Sequence, residues 1–144
     1  MLADDSPLAV ERYLELGVVL VAVLRTEIVG EAQILEAPGG AVRELKSLAV
    51  LAEHRGRGIG SLLVRASLAH ARREGAARMV VATATADLDN VRFYQRLGFR
   101  MAWIERDVFT PDAGYPEGLA VDGIPVRDRV WLDQPLEHGT PPGN

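Results

Sequence analysis

The chain contains no cysteine. Disulfides, thiolate metal sites and cysteine nucleophiles are excluded at once. Lysine is almost as scarce, with Lys46 alone, so no glycine loop here ends in the Gly-Lys-Ser/Thr of a Walker nucleotide site. His54, His70 and His138 are scattered without ligand-like spacing, and no metal is expected. Long apolar runs are missing too. The stretch Gly17–Leu24 is eight residues and internal, far short of a membrane span, and no signal-peptide pattern is present. A cytoplasmic protein with no membrane association is expected. The net charge of −4 argues against nucleic acid as a main partner.

What is present begins with 144 residues, 48% of them hydrophobic and 25% charged, enough for one globular domain with a real core. The domain is expected over residues 1–137, with 138–144 a flexible tail rich in proline and glycine. Charge is unevenly placed. Six arginines stand against one acid from Arg55 to Arg78, and eight acids against three arginines from Glu105 to Glu137. The first region suits a polyanionic ligand, the second a cationic one, unless both are simply solvated faces.

The most informative stretch is Leu48 to Gly75, centred on Arg55-Gly56-Arg57-Gly58-Ile59-Gly60. An apolar strand end, Leu48-Ala49-Val50, leads through a short polar link into a glycine turn and then a long amphipathic helix. Glycines at alternate positions let the backbone approach a ligand closely. Unpaired N–H groups and the positive helix end then make the turn an anion site, typically for phosphate or pyrophosphate. Arg55 and Arg57 add charge and donors. A plain strand-to-helix connection would look similar. The dinucleotide fingerprint is rejected, because Ser61 stands where its third glycine belongs and the next strand, Met79–Ala84, ends without an acid.

Read in order, Ser6-Pro7 starts a helix that Gly17 ends. Strands follow at Val18–Leu24, Ile28–Leu35 and Ala41–Val50, an antiparallel meander with the turn Ala37-Pro38-Gly39-Gly40 before the third. In the helix after the glycine turn, Ile59, Leu62, Leu63, Ala66 and Ala69 share one side, and Ser61 is expected to cap rather than react. Arg78–Ala84 is a strand, parallel to Ala41–Val50 through a right-handed crossover. Thr85–Asp89 is a turn with acidic cap candidates, Asn90–Leu97 a short helix, and Phe99–Arg106 a strand. Asp107–Pro125 is a long excursion, and Val126–Leu136 the last strand. The fold class is α/β (α+β), a mixed sheet.

Two separated signals coincide. Arg55-x-x-Gly58-x-Gly60 lies between strand and helix, and 30 residues past Gly60 comes Asn90-Val91-Arg92-Phe93-Tyr94-Gln95-Arg96-Leu97-Gly98-Phe99. In this order and spacing they resemble the GNAT superfamily of acetyl-CoA-dependent N-acetyltransferases, over about Val18 to Leu136. The resemblance implies an antiparallel N-terminal meander, a central parallel pair joined by the CoA-binding helix, and antiparallel C-terminal strands. It implies transfer of an acetyl group from acetyl-CoA, the co-substrate, to a primary amine on a small molecule or peptide.

By that resemblance the N–H groups of Arg57, Gly58, Ile59, Gly60 and Ser61, with Arg55 and Gly56, hold the pyrophosphate. Leu48-Ala49-Val50 pairs with the pantetheine arm as an added strand would. Asn90 and Tyr94, four apart on a helix, share a face. Asn90 bonds the arm, and Tyr94 protonates the departing thiolate. Glu44, on the strand feeding the turn, is the expected base for the acceptor amine, with Glu31 and Asp128 as substitutes. The bland readings are core packing for Tyr94, helix capping for Asn90 and an ordinary strand carboxylate for Glu44.

The N-terminal part departs from the family pattern. One short helix stands where a first strand and paired helices usually wall the acceptor site. Asp107–Pro125 is the expected substitute wall, its acids favouring a cationic amine; a dimer contact is the other reading of it. A homodimer is compatible with the resemblance. The rival functions are a non-catalytic CoA- or acyl-CoA-binding regulatory module and a nucleotide-dependent regulatory domain.

Overall fold

The structure, a computed structural model, describes residues 17–136. The expected first helix and the C-terminal tail lie outside the described residues. Among the described residues eight strands form: β1 (Gly17–Leu24), β2 (Glu27–Glu36), β3 (Val42–Val50), β4 (Arg78–Ala84), β5 (Arg100–Glu105), β6 (Ala120–Val121), β7 (Ile124–Pro125) and β8 (Arg129–Pro135). Two α-helices accompany them, α1 (Ile59–Arg73) and α2 (Leu88–Arg96), with short 3-10 turns at Ala52–His54 and Pro111–Ala113. The main sheet runs β1-β2-β3-β4-β8-β5, with β3 and β4 parallel, while β6 and β7 pair separately. This is the expected mixed α/β architecture. The chain divides inside β4 into two compact units: residues 17–79 with 135–136, and residues 80–134.

In the first unit the β-branched and aliphatic run of β1 pairs antiparallel with β2, and β2 with β3. Regular alternation fails at two places. Between β2 and β3 the register shifts so that Gln33 faces Ser47 but Ile34 faces Leu45, leaving Lys46 as an extra residue. This bulge turns Leu45 and Leu48, three positions apart, to the same side of the sheet as Gly30, Ala32 and Ile34. Leu45 and Leu48 are both buried there. The opposite side carries Glu31, Gln33, Leu35, Glu44, Ser47 and Ala49.

Helix α1 lies on the Gly30 side. A β-carbon at Gly30 would meet Leu63 Cδ1 at 3.0 Å and Ile59 Cγ2 at 3.3 Å, so the missing side chain lets the helix start sit directly on β2. The buried residues of α1 are Leu63, Val64, Ser67, Leu68 and Ala71. This corrects the face expected from sequence: Leu62 is 61% exposed and Ala66 is exposed. The misreading turns on Ser67. Its hydroxyl donates to the Leu63 carbonyl at 2.8 Å, four residues back, so a nominally polar residue is fully satisfied in the core. With Ser67 counted as buried, the stripe follows helical spacing. Each large aliphatic residue it buries contributes about 1.5–3 kcal/mol relative to exposure.

In the second unit α2 opens on Asp87, whose carboxylate accepts from the Asn90 N–H at 3.0 Å. Gln134 donates to the Leu97 carbonyl at 3.0 Å and ties the end of that helix to β8. Strands β5 and β8 are antiparallel, with Trp103 stacked on Trp131 at 5.4 Å. Trp131 Nε1 donates to Glu105, which also lies 3.7 Å from Arg129.

The excursion is organised rather than loose. Phe109 and Val126 form a small core with Ala86, flanked by Tyr115, Leu119 and Val121. Phe109 meets the Tyr115 ring edge-on at 5.0 Å, and the Arg129 guanidinium lies over it at 5.2 Å. Asp122-Gly123 forms the tip of the β6–β7 hairpin, both residues at positive φ, the turn chemistry that closes two-residue hairpins. Asp107 also takes a positive φ of 60°, and its N–H is held at 2.9 Å by the Asp128 carboxylate.

Candidate functional site

The glycine turn lies wholly in the first unit. Gly56 and Gly58 both take the left-handed conformation, with φ of 79° and 81°, and a β-carbon on either would meet nothing within 4 Å. Space does not exclude a side chain at either position, so the backbone angles alone select glycine. Gly60 is already within α1. Gly58 is the N-cap residue, no side chain caps the helix, and its first turn holds no acid. Ser61 therefore does not cap, contrary to the sequence-based expectation; the helix is left open at its positive end.

The first helical bond is that of the Leu62 N–H to the Gly58 carbonyl, at 3.0 Å. The N–H groups of residues 57 to 61 take no hydrogen bond among the described residues. Several unspent donors beside a helix N-terminus form an anion site. Arg57 is exposed beside them. Arg55 behaves differently: its Nε donates to the Val50 carbonyl at 3.2 Å, locking the turn back onto the end of β3. In the same strand Leu48 is buried, and Ala49 and Val50 are half-buried.

Glu44 is half-buried and pairs across the ladder with Leu35, which places it on the sheet side away from α1. Glu31 and Gln33 share that side. Gln33 was not singled out from sequence. It is 4% exposed, and its Nε2 has no hydrogen-bond partner among the described residues. An unspent buried amide donor costs on the order of 1–3 kcal/mol. The signal lay in the alternation of β2, which put Gln33 beside Glu31 on the wetter face. Asp128 is committed elsewhere, to the Asp107 backbone.

The second unit supplies Asn90 and Tyr94. Asp87, not Asn90, caps α2, and the Asn90 side-chain amide instead donates to the Thr83 hydroxyl at 3.3 Å. Tyr94 is 4% exposed, its ring edge-on to Phe93 at 5.1 Å and Phe99 at 5.7 Å. Packing against these two rings fixes the position of the Tyr94 ring. Burial pushes the Tyr94 phenol well above its ordinary value, and the negative charge of Asp87 adds to the rise. The phenol stays protonated at every physiological pH.

Sequence comparison identifies the family. The model of the acetyltransferase (GNAT) family matches residues 3–99. The chain belongs to that family and is an acyltransferase. Among relatives, it is 31% identical over 135 residues to the uncharacterized N-acetyltransferase YvbK of Bacillus subtilis (strain 168), covering 92% of this chain and 85% of that protein.

Solved structures agree as well. A Bacillus subtilis acetyltransferase in complex with CoA superposes with a TM-score of 0.85 at 29% identity, covering 92% of this chain and 85% of that one. A GNAT family acetyltransferase from Elizabethkingia anophelis with acetyl-CoA bound gives 0.84 at 26%, covering 91% and 84%. No helix among the described residues is long and apolar enough to cross a membrane.

Proposed function

We propose that this chain moves the acetyl group of acetyl-CoA to a primary amine by direct attack, without a covalent enzyme intermediate. The observation that carries the reading is the run of unspent N–H groups at residues 57 to 61 ahead of α1. Coenzyme A offers the diphosphate that such a turn takes. Its pantetheine amides pair with Leu48-Ala49-Val50, and Asn90 contributes a further hydrogen bond. Arg55 already occupies the Val50 carbonyl, which leaves Leu48 and Ala49 as the main pairing groups.

The chemistry assigned to the remaining residues balances. The acceptor amine loses a proton to Glu44, directly or through water. Its lone pair forms the C–N bond at the thioester carbonyl, the nitrogen gives its second proton to water, and the C–S electron pair leaves on sulfur as the carbonyl reforms. Tyr94 donates its proton to that sulfur and recovers one from solvent. An ordinary thiol titrates near 8.5, below even an ordinary phenol at about 10. The proton therefore passes late, as the thiolate develops charge in surroundings that disfavour any charge. The acids of the excursion, Asp107, Asp112, Glu117 and Asp122, favour a cationic acceptor.

The test is an acceptor screen with acetyl-CoA, following thiol release across amino acids, polyamines, peptides and small amines, beside Tyr94→Phe and Glu44→Gln. Turnover on at least one amine is expected. Tyr94→Phe is expected to lower kcat while leaving acetyl-CoA affinity nearly unchanged. Equal kcat in both proteins contradicts the proton-donor role. Acetyl-CoA binding without turnover on any amine identifies a CoA-binding module instead.

A further inference from the structure

The histidine spacing gives no sign of a metal site, because the relevant partners come from a different strand. Glu27 opens β2, while Glu53 and His54 sit on the 3-10 turn Ala52–His54, 26 and 27 positions later. The two segments are tied together: the Leu51 N–H donates to the Val29 carbonyl at 2.9 Å, and the His54 N–H to the Leu51 carbonyl at 2.9 Å. As a result one donor atom from each of Glu27, Glu53 and His54 lies within 4.8 Å of the other two.

Two facts set this group apart from an ordinary surface cluster. No arginine or lysine pairs with either carboxylate among the described residues, so two negative charges are held close without a counter-charge. Independently, His54 Nδ1 is buried and has no hydrogen-bond partner among the described residues. An imidazole nitrogen withdrawn from water with nothing to bond is costly, and a cation bound at that nitrogen removes the deficit.

We propose that Glu27, Glu53 and His54 bind one divalent transition-metal cation. The donor set decides the class. One imidazole and two carboxylates suit zinc, cobalt or nickel, whereas calcium and magnesium prefer oxygen alone. Bond lengths of about 2.0–2.2 Å place tetrahedral ligands roughly 3.4 Å apart, so the present separation closes by small rotamer changes in two long, exposed glutamates. The ion staples the start of β2 to the residue that immediately precedes Arg55, the first of the phosphate turn. The site stands on its own side chains and holds whether or not the chain uses acetyl-CoA.

The experiment titrates zinc chloride into the full chain, stripped of metal, by calorimetry, with cobalt absorption as a second readout. One site per chain is expected. Glu27→Gln and His54→Ala are each expected to weaken binding at least tenfold, while His70→Ala leaves it unchanged. His70, on α1, is the control because its own Nε2 lies 4.0 Å from Glu74, the residue that caps that helix, and offers a competing pair. Glu27→Gln is exposed and nearly isosteric, so it reports on the site even if His54→Ala perturbs folding. Absence of binding, binding that survives Glu27→Gln, or binding lost with His70→Ala overturns the proposal.

Discussion

Replacing Gly58 by alanine separates the turn's structural role from its proposed ligand role. At φ of 81° an L-residue is in left-handed territory, which costs about 1–2 kcal/mol. No steric term is added, since the new β-carbon would meet nothing within 4 Å. Restricting the unfolded chain returns about 0.4–1 kcal/mol. The net loss is on the order of 1 kcal/mol, a fall of about 3 °C in Tm for a chain this size. Gly75, at the far end of α1, is the matched control: it has the same φ of 81° and the same open surroundings. Both variants are expected to melt alike.

They are expected to differ in CoA affinity. If the diphosphate lies against the unspent N–H groups, a methyl on Gly58 displaces it from at least one charge-assisted hydrogen bond. Such a bond is worth about 1.5–3 kcal/mol, so Kd rises roughly 10- to 100-fold in Gly58→Ala and stays at the parent value in Gly75→Ala. Calorimetry with CoA reads this directly, and differential scanning calorimetry reads the shared stability loss. Parent-like CoA affinity in Gly58→Ala would refute the placement of the diphosphate on this turn.

Two other outcomes follow from the second unit. Because the folded state raises the Tyr94 pKa above the ordinary value, its contribution is complete below about pH 10 and is lost as pH climbs further. Stability is therefore expected to fall above pH 10 with a slope of up to about 1.4 kcal/mol per pH unit, and Tyr94→Phe to flatten that slope; identical slopes by denaturant titration would show the phenol is not protected. Asp87→Ala removes the carboxylate that caps α2 and is expected to cost about 1 kcal/mol, seen as a lower denaturant midpoint with unchanged m. An unchanged midpoint would mean the cap contributes nothing.

Much of the fold was legible in the sequence because its signals are local. β-Branched runs gave β1, β2 and β3 to within a residue at each end, and β4 with the same bounds. The glycines gave the turn, because positive φ is a demand that few other residues meet. What escaped involved a compensation invisible along the chain. Ser67 reads as polar until its hydroxyl is seen to bond Leu63, and the helix face was misplaced for that reason. Leu45 and Leu48 break strand alternation until the bulge at Lys46 restores it. The excursion read as turns and prolines, although Asp122-Gly123 was a hairpin signal and Phe109 an anchor. Of the candidate site, the sequence placed Gly56 and Gly58 in a turn that demands positive φ, and Asn90 and Tyr94 on one helix, as the structure has them. Gln33 and the trio Glu27, Glu53 and His54 were not, since their significance depends on neighbours distant in the chain.

The bare backbone at Gly30 has a reach beyond its own strand. Because Ile59 and Leu63 rest on it, the height at which the helix begins is set 28 positions upstream of Gly58, by an atom that is not there. Bulk added at that point would press on Ile59 and Leu63, the side chains that seat the start of the helix. The proposed grip on an anion would thus be governed partly by a residue that has no means of touching one.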